Sequence, residues 1–224
     1  VDVDKAPELE GGVAWINTGA PVKLKDLRGK IVLLDFWTYC CINCHHILPT
    51  LAKLEAKYPN ELVVIGVHTA KFEAEKDTAN IRKKVAEYAI KHPVVNDANQ
   101  TIWNHFGVNS WPTLVLIGPD GRYIASQSGE IGFEVLDAAV GRRIVAARKA
   151  GDLNPIPLRF EPEDEKLHAA PLRYPGKVLA DAEGKRLFIA DSTHHRIVVT
   201  DLDGKKLAIA GAGTAGKADG TFDK

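Results

Sequence analysis

The chain has 224 residues, and its 29 Lys and Arg residues balance 29 Asp and Glu residues, so the formal net charge at pH 7 is zero. This balance provides no basic surface, and we therefore expect no binding of nucleic acid. Apolar residues make up 45% of the composition, enough for a core in one large or two small domains, and no apolar run reaches the ~18 residues expected of a membrane span.

The first predicted elements are a hairpin, a buried strand and an amphipathic helix. Residues 13–17 and 22–24 flank the turn-forming residues 18–21, which favours a hairpin. Residues 31–37 form an apolar, β-branched run after Gly29, which predicts a buried strand. In the helix that follows, four apolar residues recur at helical spacing on one face: Leu48, Leu51, Leu54 and Tyr58.

Strands and helices alternate through the middle of the chain. Residues 61–68 predict a second buried strand, and residues 74–90 predict a helix that Thr78 caps. The later elements follow in order: a short strand or turn at 93–97, a helix at 100–106, antiparallel strands at 113–117 and 122–127, and a helix at 133–148. Together they predict an α/β domain over residues 1–150, in which a mixed sheet has helices on both faces.

The composition changes after residue 150. Residues 151–170 contain several prolines and an acidic run, which is typical of a linker or an extended wrap. Residues 171–224 contain four short apolar runs separated by turns, at 177–180, 186–190, 196–200 and 206–210. These predict a four-stranded β-meander about the length of one propeller blade.

All the cysteines of the chain lie within five residues: Cys40, Cys41 and Cys44. A disulfide between Cys41 and Cys44 would close almost no loop, so its value must be chemical rather than structural. The predicted strand, turn and helix place these cysteines at a helix N-terminus, where free N–H groups and the helix dipole stabilise a thiolate. We therefore expect Cys41 to be a nucleophile and Cys44 to resolve the mixed disulfide.

Residues 5–150 resemble the thioredoxin superfamily, and more closely its TlpA/AhpC-like branch, in Asp35-Phe36-Trp37, in Cys41-Ile42-Asn43-Cys44 and in Trp111-Pro112-Thr113. The resemblance implies that Pro112 is a cis-proline that helps to bind an extended substrate backbone. It also implies that Asp35 accepts the proton of the resolving thiol. A carboxylate inside an apolar strand has a raised pKa, which suits this role. Trp37 and Trp111 are expected to line the substrate groove.

The C-terminal part resembles one NHL repeat over residues 172–178, 187–192 and 195–198. A thioredoxin-like domain followed by NHL repeats resembles the NHL repeat-containing protein 2 family. Because a propeller needs several blades, we expect this chain to be a fragment of a longer protein. The edges of a lone blade are a liability, so we expect this part to pack on the first domain or to self-associate.

Three further residues are candidates for modulating the site. Cys40 stands where thioredoxins have tryptophan, and it could be a third redox thiol, a metal ligand or a small buried apolar residue, the last being favoured. His45 follows the cysteines on their helix and would favour the Cys41 thiolate if charged. His68 ends the second strand, at the sheet edge where the cysteines are expected.

The leading interpretation is therefore a thiol–disulfide oxidoreductase acting on a protein or small thiol or disulfide substrate, with no cofactor and no bound metal. One alternative is a redox-inert interaction protein whose propeller binds partners. Another is a Sco-type copper chaperone with Cys40, Cys44 and His68 as ligands. A peroxidase is disfavoured because the peroxiredoxin pattern requires proline at the position of Leu34. The missing initial methionine leaves the compartment open, with the cytoplasm favoured over the periplasm.

Overall fold

The fold contains two sheets, each in its own part of the chain. The computed structural model describes residues 5–154, 156–160, 162, 171–173, 175–214 and 216. The chain divides into a first unit, Val1–Asp164, and a second unit, Glu165–Lys224. Half of the predicted linker, residues 155, 161 and 163–170, lies outside the described residues, as do residues 174, 215 and 217–224 of the predicted meander.

In the described residues, the first unit contains a mixed six-stranded sheet in the order β1-β4-β3-β2-β5-β6. Its strands are β1 Ala14–Ile16, β2 Ile31–Trp37, β3 Leu62–His68, β4 Val94–Asn96, β5 Thr113–Ile117 and β6 Tyr123–Ser128. Its helices are α1 Ile42–Lys57, α2 Thr78–Glu87, α3 Thr101–His105 and α4 Phe133–Ala150. Strands β2, β3 and β4 run parallel, while β1, β5 and β6 pair antiparallel, which confirms the predicted fold class.

The predicted N-terminal hairpin is wrong. Strand β1 pairs with β4 instead, and residues 24–27 form a 3₁₀ turn, Leu24–Leu27. The physical reason is that the Glu8 carboxylate accepts hydrogen bonds from the N–H groups of Leu24 and Lys25, at 2.7 and 2.9 Å. These bonds and the burial of Leu24 favour the turn over an edge strand.

The predicted helix at 74–90 is divided into two elements, and its predicted cap is wrong. A 3₁₀ turn, Glu73–Lys76, comes first, and α2 then begins under a cap by Asp77, whose carboxylate accepts from the N–H groups of Ala79 and Asn80. The Thr78 hydroxyl is used elsewhere, since it accepts a hydrogen bond from the Asn96 side chain at 2.8 Å.

Strand β2 alternates its side chains between the two faces of the sheet. Val32, Leu34 and Phe36 join one buried cluster, whereas Ile31 and Leu33 pack with α1 and α4 in another. By the same alternation, Asp35 and Trp37 lie on the face that α1 covers. The sheet therefore places an acidic side chain behind the helix that carries the cysteines.

The second unit is an antiparallel sheet in the order β10-β9-β8-β7. Its strands are β7 Pro175–Asp181, β8 Arg186–Asp191, β9 Arg196–Asp201 and β10 Lys206–Ala210, and they confirm the four strands predicted from the sequence. Among its described residues the buried apolar side chain is Val198, whereas Val178, Leu179 and Leu207 are exposed.

Candidate thiol–disulfide site

The three cysteines lie between the end of β2 and the first turn of α1. Cys41 is the N-cap residue of α1, and its carbonyl accepts hydrogen bonds from the N–H groups of Cys44 and His45 at 3.1 and 3.2 Å. All three thiols are free; Cys40 is exposed, Cys41 is half-buried and Cys44 is buried. An accessible thiol thus stands at the helix N-terminus, with a second thiol beneath it.

Burial distinguishes the chemistry of Cys44 from that of Cys41. Burial raises the pKa of the Cys44 thiol well above its usual range, and a hydrogen bond with the Cys41 thiol and the nearby Asp35 carboxylate raise it further. Cys44 is therefore protonated until a base removes its proton. Cys41 has both the access and the helix N-terminus that a nucleophilic thiolate requires.

Asp35 is a fully buried carboxyl group next to the Cys44 thiol. Neither of its oxygens has a hydrogen-bond partner among the described residues. Burial raises the pKa of Asp35 to about 7, although nearby His92 acts to lower it. A carboxyl group with a pKa near neutrality can both accept and release a proton at physiological pH.

The peptide bond between Trp111 and Pro112, the residues predicted to form the groove, is cis, as the resemblance implied. Trp111 packs against the buried cluster that contains Cys44, and its indole Nε1 donates to the Thr69 carbonyl at 3.1 Å. Trp37 belongs to the same cluster but is fully buried. The prediction that Trp37 lines the groove is wrong, because this side chain supports the site from the core.

Sequence analysis missed Glu75, a fully buried carboxylate that holds the loop before the cysteines. It accepts hydrogen bonds from the Thr38 hydroxyl and from the N–H groups of Cys40, Lys71 and Phe72. Burial acts to raise its pKa, but these hydrogen bonds outweigh burial, and the pKa is lowered. No sequence signal identified it, because its partner Cys40 lies 35 positions earlier in the chain.

Cys40 is exposed, so its interpretation as a small buried apolar residue is wrong. Desolvation of its sulfur, together with a hydrogen bond to Glu75 and the negative charge of that carboxylate, raises the pKa of the Cys40 thiol. The site therefore makes Cys40 a poorer thiolate than an isolated cysteine, even though solvent reaches it.

The two predicted histidine modulators both contact the loop before α1. The His45 Nε2 lies 2.8 Å from the Tyr39 carbonyl, and its ring packs against Tyr88. His68 is fully buried, and its Nε2 accepts a hydrogen bond from the Tyr39 N–H at 3.2 Å. Burial lowers the pKa of His68 to about 4, so at neutral pH this side chain is an uncharged acceptor that positions the loop.

The described residues contain no group of three or more His, Cys, Asp or Glu side chains arranged to hold a metal ion. Cys40, Cys44 and His68 are therefore not assembled as the copper-chaperone alternative requires. No helix among the described residues is long and apolar enough to cross a membrane.

Comparison with known proteins places this site in a thioredoxin-like context. A thioredoxin-like family profile matches residues 29–123. NHL repeat-containing protein 2 from Gallus gallus is 44% identical over 221 residues, which cover 97% of this chain and 30% of that protein. The resemblance predicted from the sequence is thus confirmed, and the chain spans less than a third of this relative's length.

Proteins named as thiol–disulfide exchange proteins match about two thirds of the chain. The thiol–disulfide oxidoreductase YkuV from Bacillus subtilis is 28% identical over 136 residues, which cover 61% of this chain and 91% of that protein. A crystal structure of a thiol:disulfide interchange protein of the DsbE type from Chlorobium tepidum aligns with a TM-score of 0.53 and 28% identity, covering 64% of this chain and 95% of that structure. The first unit is therefore related to thiol–disulfide oxidoreductases.

Proposed function

This chain is a relative of NHL repeat-containing protein 2 with a thioredoxin-like first unit, and we propose that it catalyses thiol–disulfide exchange through Cys41 and Cys44. One arrangement carries the proposal. The accessible Cys41 caps α1, the buried Cys44 lies one turn behind it, and the unpartnered Asp35 lies behind both. A merely structural pair of thiols would need neither a helix N-terminus nor a buried base.

In the reducing direction, the Cys41 thiolate attacks one sulfur of a substrate disulfide. A mixed disulfide forms, the substrate S–S bond breaks, and the first substrate sulfur leaves as a thiolate that takes a proton. Cys44 then gives its proton to Asp35 and attacks the Cys41 sulfur. The Cys41–Cys44 bond forms, the second substrate sulfur leaves with its electron pair, and the substrate has gained two electrons.

Trp111 and Pro112 supply the surface on which the substrate lies. Trp111 packs beside the cluster that contains Cys44, with its indole anchored on the Thr69 carbonyl. Ile42, within the cysteine motif, is 62% exposed and adds apolar surface beside Cys41. This surface suits an extended backbone with apolar side chains.

The test is reduction of insulin disulfides by the wild-type chain and three matched variants, with dithiothreitol as the final reductant. We expect Cys41→Ser to abolish exchange. We expect Cys44→Ser to accumulate a mixed disulfide detectable by mass spectrometry, and Cys40→Ser to retain most of the activity. Exchange by the wild type no faster than dithiothreitol alone, or equal losses in Cys40→Ser and Cys41→Ser, would contradict the proposal.

A second candidate role is binding of a partner by the second unit. The observation that favours it is the exposure of Val178, Leu179 and Leu207 on a four-stranded sheet. Self-association through these strands stays a prediction. An inactive wild-type chain in the insulin assay would favour this binding role over catalysis.

A further inference from the structure

Two buried polar atoms lie beside Gly66, the residue opposite Asp35 in the β2–β3 register. A Cβ atom added at Gly66 would lie 3.0 Å from Trp37 Nε1 and 3.6 Å from His92 Nε2. It would also lie 3.0 Å from Val94, which is tighter than an ordinary van der Waals contact. A side chain at Gly66 would therefore crowd both the Trp37 indole and Val94.

These groups share one property: they are buried and have no hydrogen-bond partner among the described residues. They are both carboxyl oxygens of Asp35, Trp37 Nε1 and His92 Nε2. A carboxyl group, an indole donor and an imidazole nitrogen are the partners that one internal water molecule can satisfy together. Two of these atoms lie beside the Cβ position of Gly66, and Asp35 is the residue opposite Gly66 on the neighbouring strand.

The other imidazole nitrogen of His92 contacts Glu55, which is partly exposed to solvent. His92 Nδ1 lies 3.2 Å from Glu55 Oε2; the His92 side chain is 4% exposed, and the Glu55 side chain is 29% exposed. Both residues line a cavity of about 170 Å³, together with Lys30, Asn60 and Phe160. Because a carboxylate can only accept, His92 Nδ1 carries the proton and Nε2 is left as an acceptor facing Gly66.

We propose that His92 and Glu55 relay protons between Asp35 and solvent, through one water molecule held beside Gly66. This inference rests on the proposed function. Glu55 lies eleven residues after Cys44 on α1, which is about 16 Å at ~1.5 Å per residue. The relay therefore reaches solvent near the C-terminal end of α1, far from Cys41. A substrate bound at Cys41 does not block the access of water to that end.

The relay moves protons and no electrons. In the resolving step, the Cys44 proton passes to Asp35 while the Cys41–Cys44 bond forms and the bond from Cys41 to the substrate sulfur breaks. Asp35 then passes this proton through the water to His92 Nε2. His92 Nδ1 releases its own proton to Glu55, from which it reaches the solvent in the cavity. His92 finishes neutral, and Asp35 is ready for the next cycle.

Titratable groups from several elements face this path. Cys41, Cys44 and Glu55 lie on α1, and His68 lies on β3 beside Trp37. Lys30 precedes β2, and its ammonium group donates to the carbonyls of Asn60, Asn154 and Ile156. Lys30 is held by three carbonyls, and His68 accepts from the Tyr39 N–H through Nε2, while His68 Nδ1 has no partner among the described residues. His92 Nε2 is the titratable atom among the three nearest neighbours of the Gly66 Cβ position.

The test is single-turnover kinetics in the reducing direction, separating the first step from the second. The variants are His92→Gln, His92→Ala and Glu55→Gln, with His105→Gln, an exposed histidine on α3, as the matched control. We expect His92→Gln to slow the resolving step by at least about tenfold. Alkylation of Cys41 by iodoacetamide, which reports the first step alone, is expected to be unchanged, and Glu55→Gln should slow the resolving step less.

Two readouts distinguish a relay from a merely structural role. Added imidazole is expected to restore the resolving step in His92→Ala, because the neighbouring cavity admits it, and to leave His105→Gln unaffected. Carbon-13 NMR of the Asp35 carboxyl group should show a higher titration midpoint in His92→Gln, because the positive charge that His92 carries while it holds the relayed proton lowers the pKa of Asp35.

The NMR readout needs no substrate, so it stands even if the exchange activity fails. An unchanged resolving step in His92→Gln would overturn the relay while leaving the proposed function intact. A resolving step that is slowed in His92→Ala and that added imidazole does not restore would also overturn the relay.

Discussion

The two units each bury an aspartate completely, and they treat it in opposite ways. Asp35 in the first unit has no hydrogen-bond partner among the described residues, and burial raises its pKa to about 7. Asp191 in the second unit accepts from the Arg173 N–H, the His194 ring and the Arg196 guanidinium, at 2.6, 2.8 and 2.8 Å. Burial acts to raise the Asp191 pKa too, but these hydrogen bonds outweigh burial and lower it.

This difference follows from what else each unit buries. The first unit has an extensive apolar core on both faces of β2, and that core can tolerate the cost of an unpartnered carboxylate. The second unit buries little apolar surface among its described residues. There, Asp191 joins the segment before β7 to the end of β8 and the start of β9 through hydrogen bonds.

The largest expected effect is on stability in an Asp35→Asn variant. Because the folded pKa of about 7 exceeds the ordinary value of 3.8, the stabilising contribution of neutral Asp35 is complete below that ordinary value. It is lost as pH rises through the folded pKa. The difference between these two pKa values corresponds to a loss of about 4 kcal/mol in the free energy of unfolding of the wild type. We expect Asp35→Asn to gain about this much free energy of unfolding over wild type between about pH 4 and pH 8.

Urea unfolding of the first unit, followed by tryptophan fluorescence at several pH values, measures this gain. Asp137→Asn is the matched control, because Asp137 is a surface partner of Lys57. A constant difference between Asp35→Asn and wild type at all pH values would contradict an unpartnered Asp35.

The second-largest effect is expected on the stability of the second unit in an Asp191→Ala variant. Replacing Asp191 by Ala leaves the Arg173 N–H and the His194 and Arg196 side chains without their acceptor, and removing one partner of a buried charged cluster costs roughly 3 kcal/mol. Since the Asp191 pKa is lowered, its contribution is present above the ordinary pKa of 3.8 and is lost as pH falls through the folded value.

Hydrogen exchange of backbone amides in β8 and β9 measures this loss without involving the first unit. We expect protection in both strands to fall at pH 7 and protection in β2 to stay unchanged. Equal protection of β8 and β9 in Asp191→Ala and wild type would show that the hydrogen bonds of Asp191 do not stabilise the sheet.

The smallest expected effect concerns Glu75, a buried carboxylate that is partnered like Asp191 but lies beside the cysteines. In a Glu75→Gln variant the negative charge next to Cys40 is removed, so the pKa of Cys40 should fall. Loss of a charged acceptor for the Lys71 and Phe72 N–H groups should cost on the order of 1 kcal/mol.

The pH dependence of iodoacetamide alkylation, measured with both Cys41 and Cys44 replaced by Ser, reports the Cys40 thiol alone. Faster alkylation of Cys40 near neutral pH is the expected result. Glu73→Gln, which alters an exposed pair with Lys76, is the control. Unchanged alkylation in Glu75→Gln would mean that Glu75 does not restrain the reactivity of Cys40.

The sequence predicted the elements that local patterns encode. The apolar runs of β2 and β3 and the four strands of the second unit are confirmed, because strand formation there follows from composition and turn residues within a few positions. The position of Cys41 at the N-terminus of α1 follows from the same strand, turn and helix pattern. The cis peptide before Pro112 came from the family resemblance, since an isolated proline predicts the trans form.

Tertiary structure decided which polar groups meet, because those groups are far apart along the chain. His92 lies 37 residues from Glu55, and Cys40 lies 35 residues from Glu75, so no periodicity connects either pair. The pairing of β1 with β4 and the exposure of Cys40 likewise depend on what packs nearby. The sequence by itself thus determined the position of the cysteines at the start of α1 and the strands around them. The fold alone decided that Asp35 has no hydrogen-bond partner among the described residues, because hydrogen bonding and desolvation depend on neighbours that only the folded chain supplies.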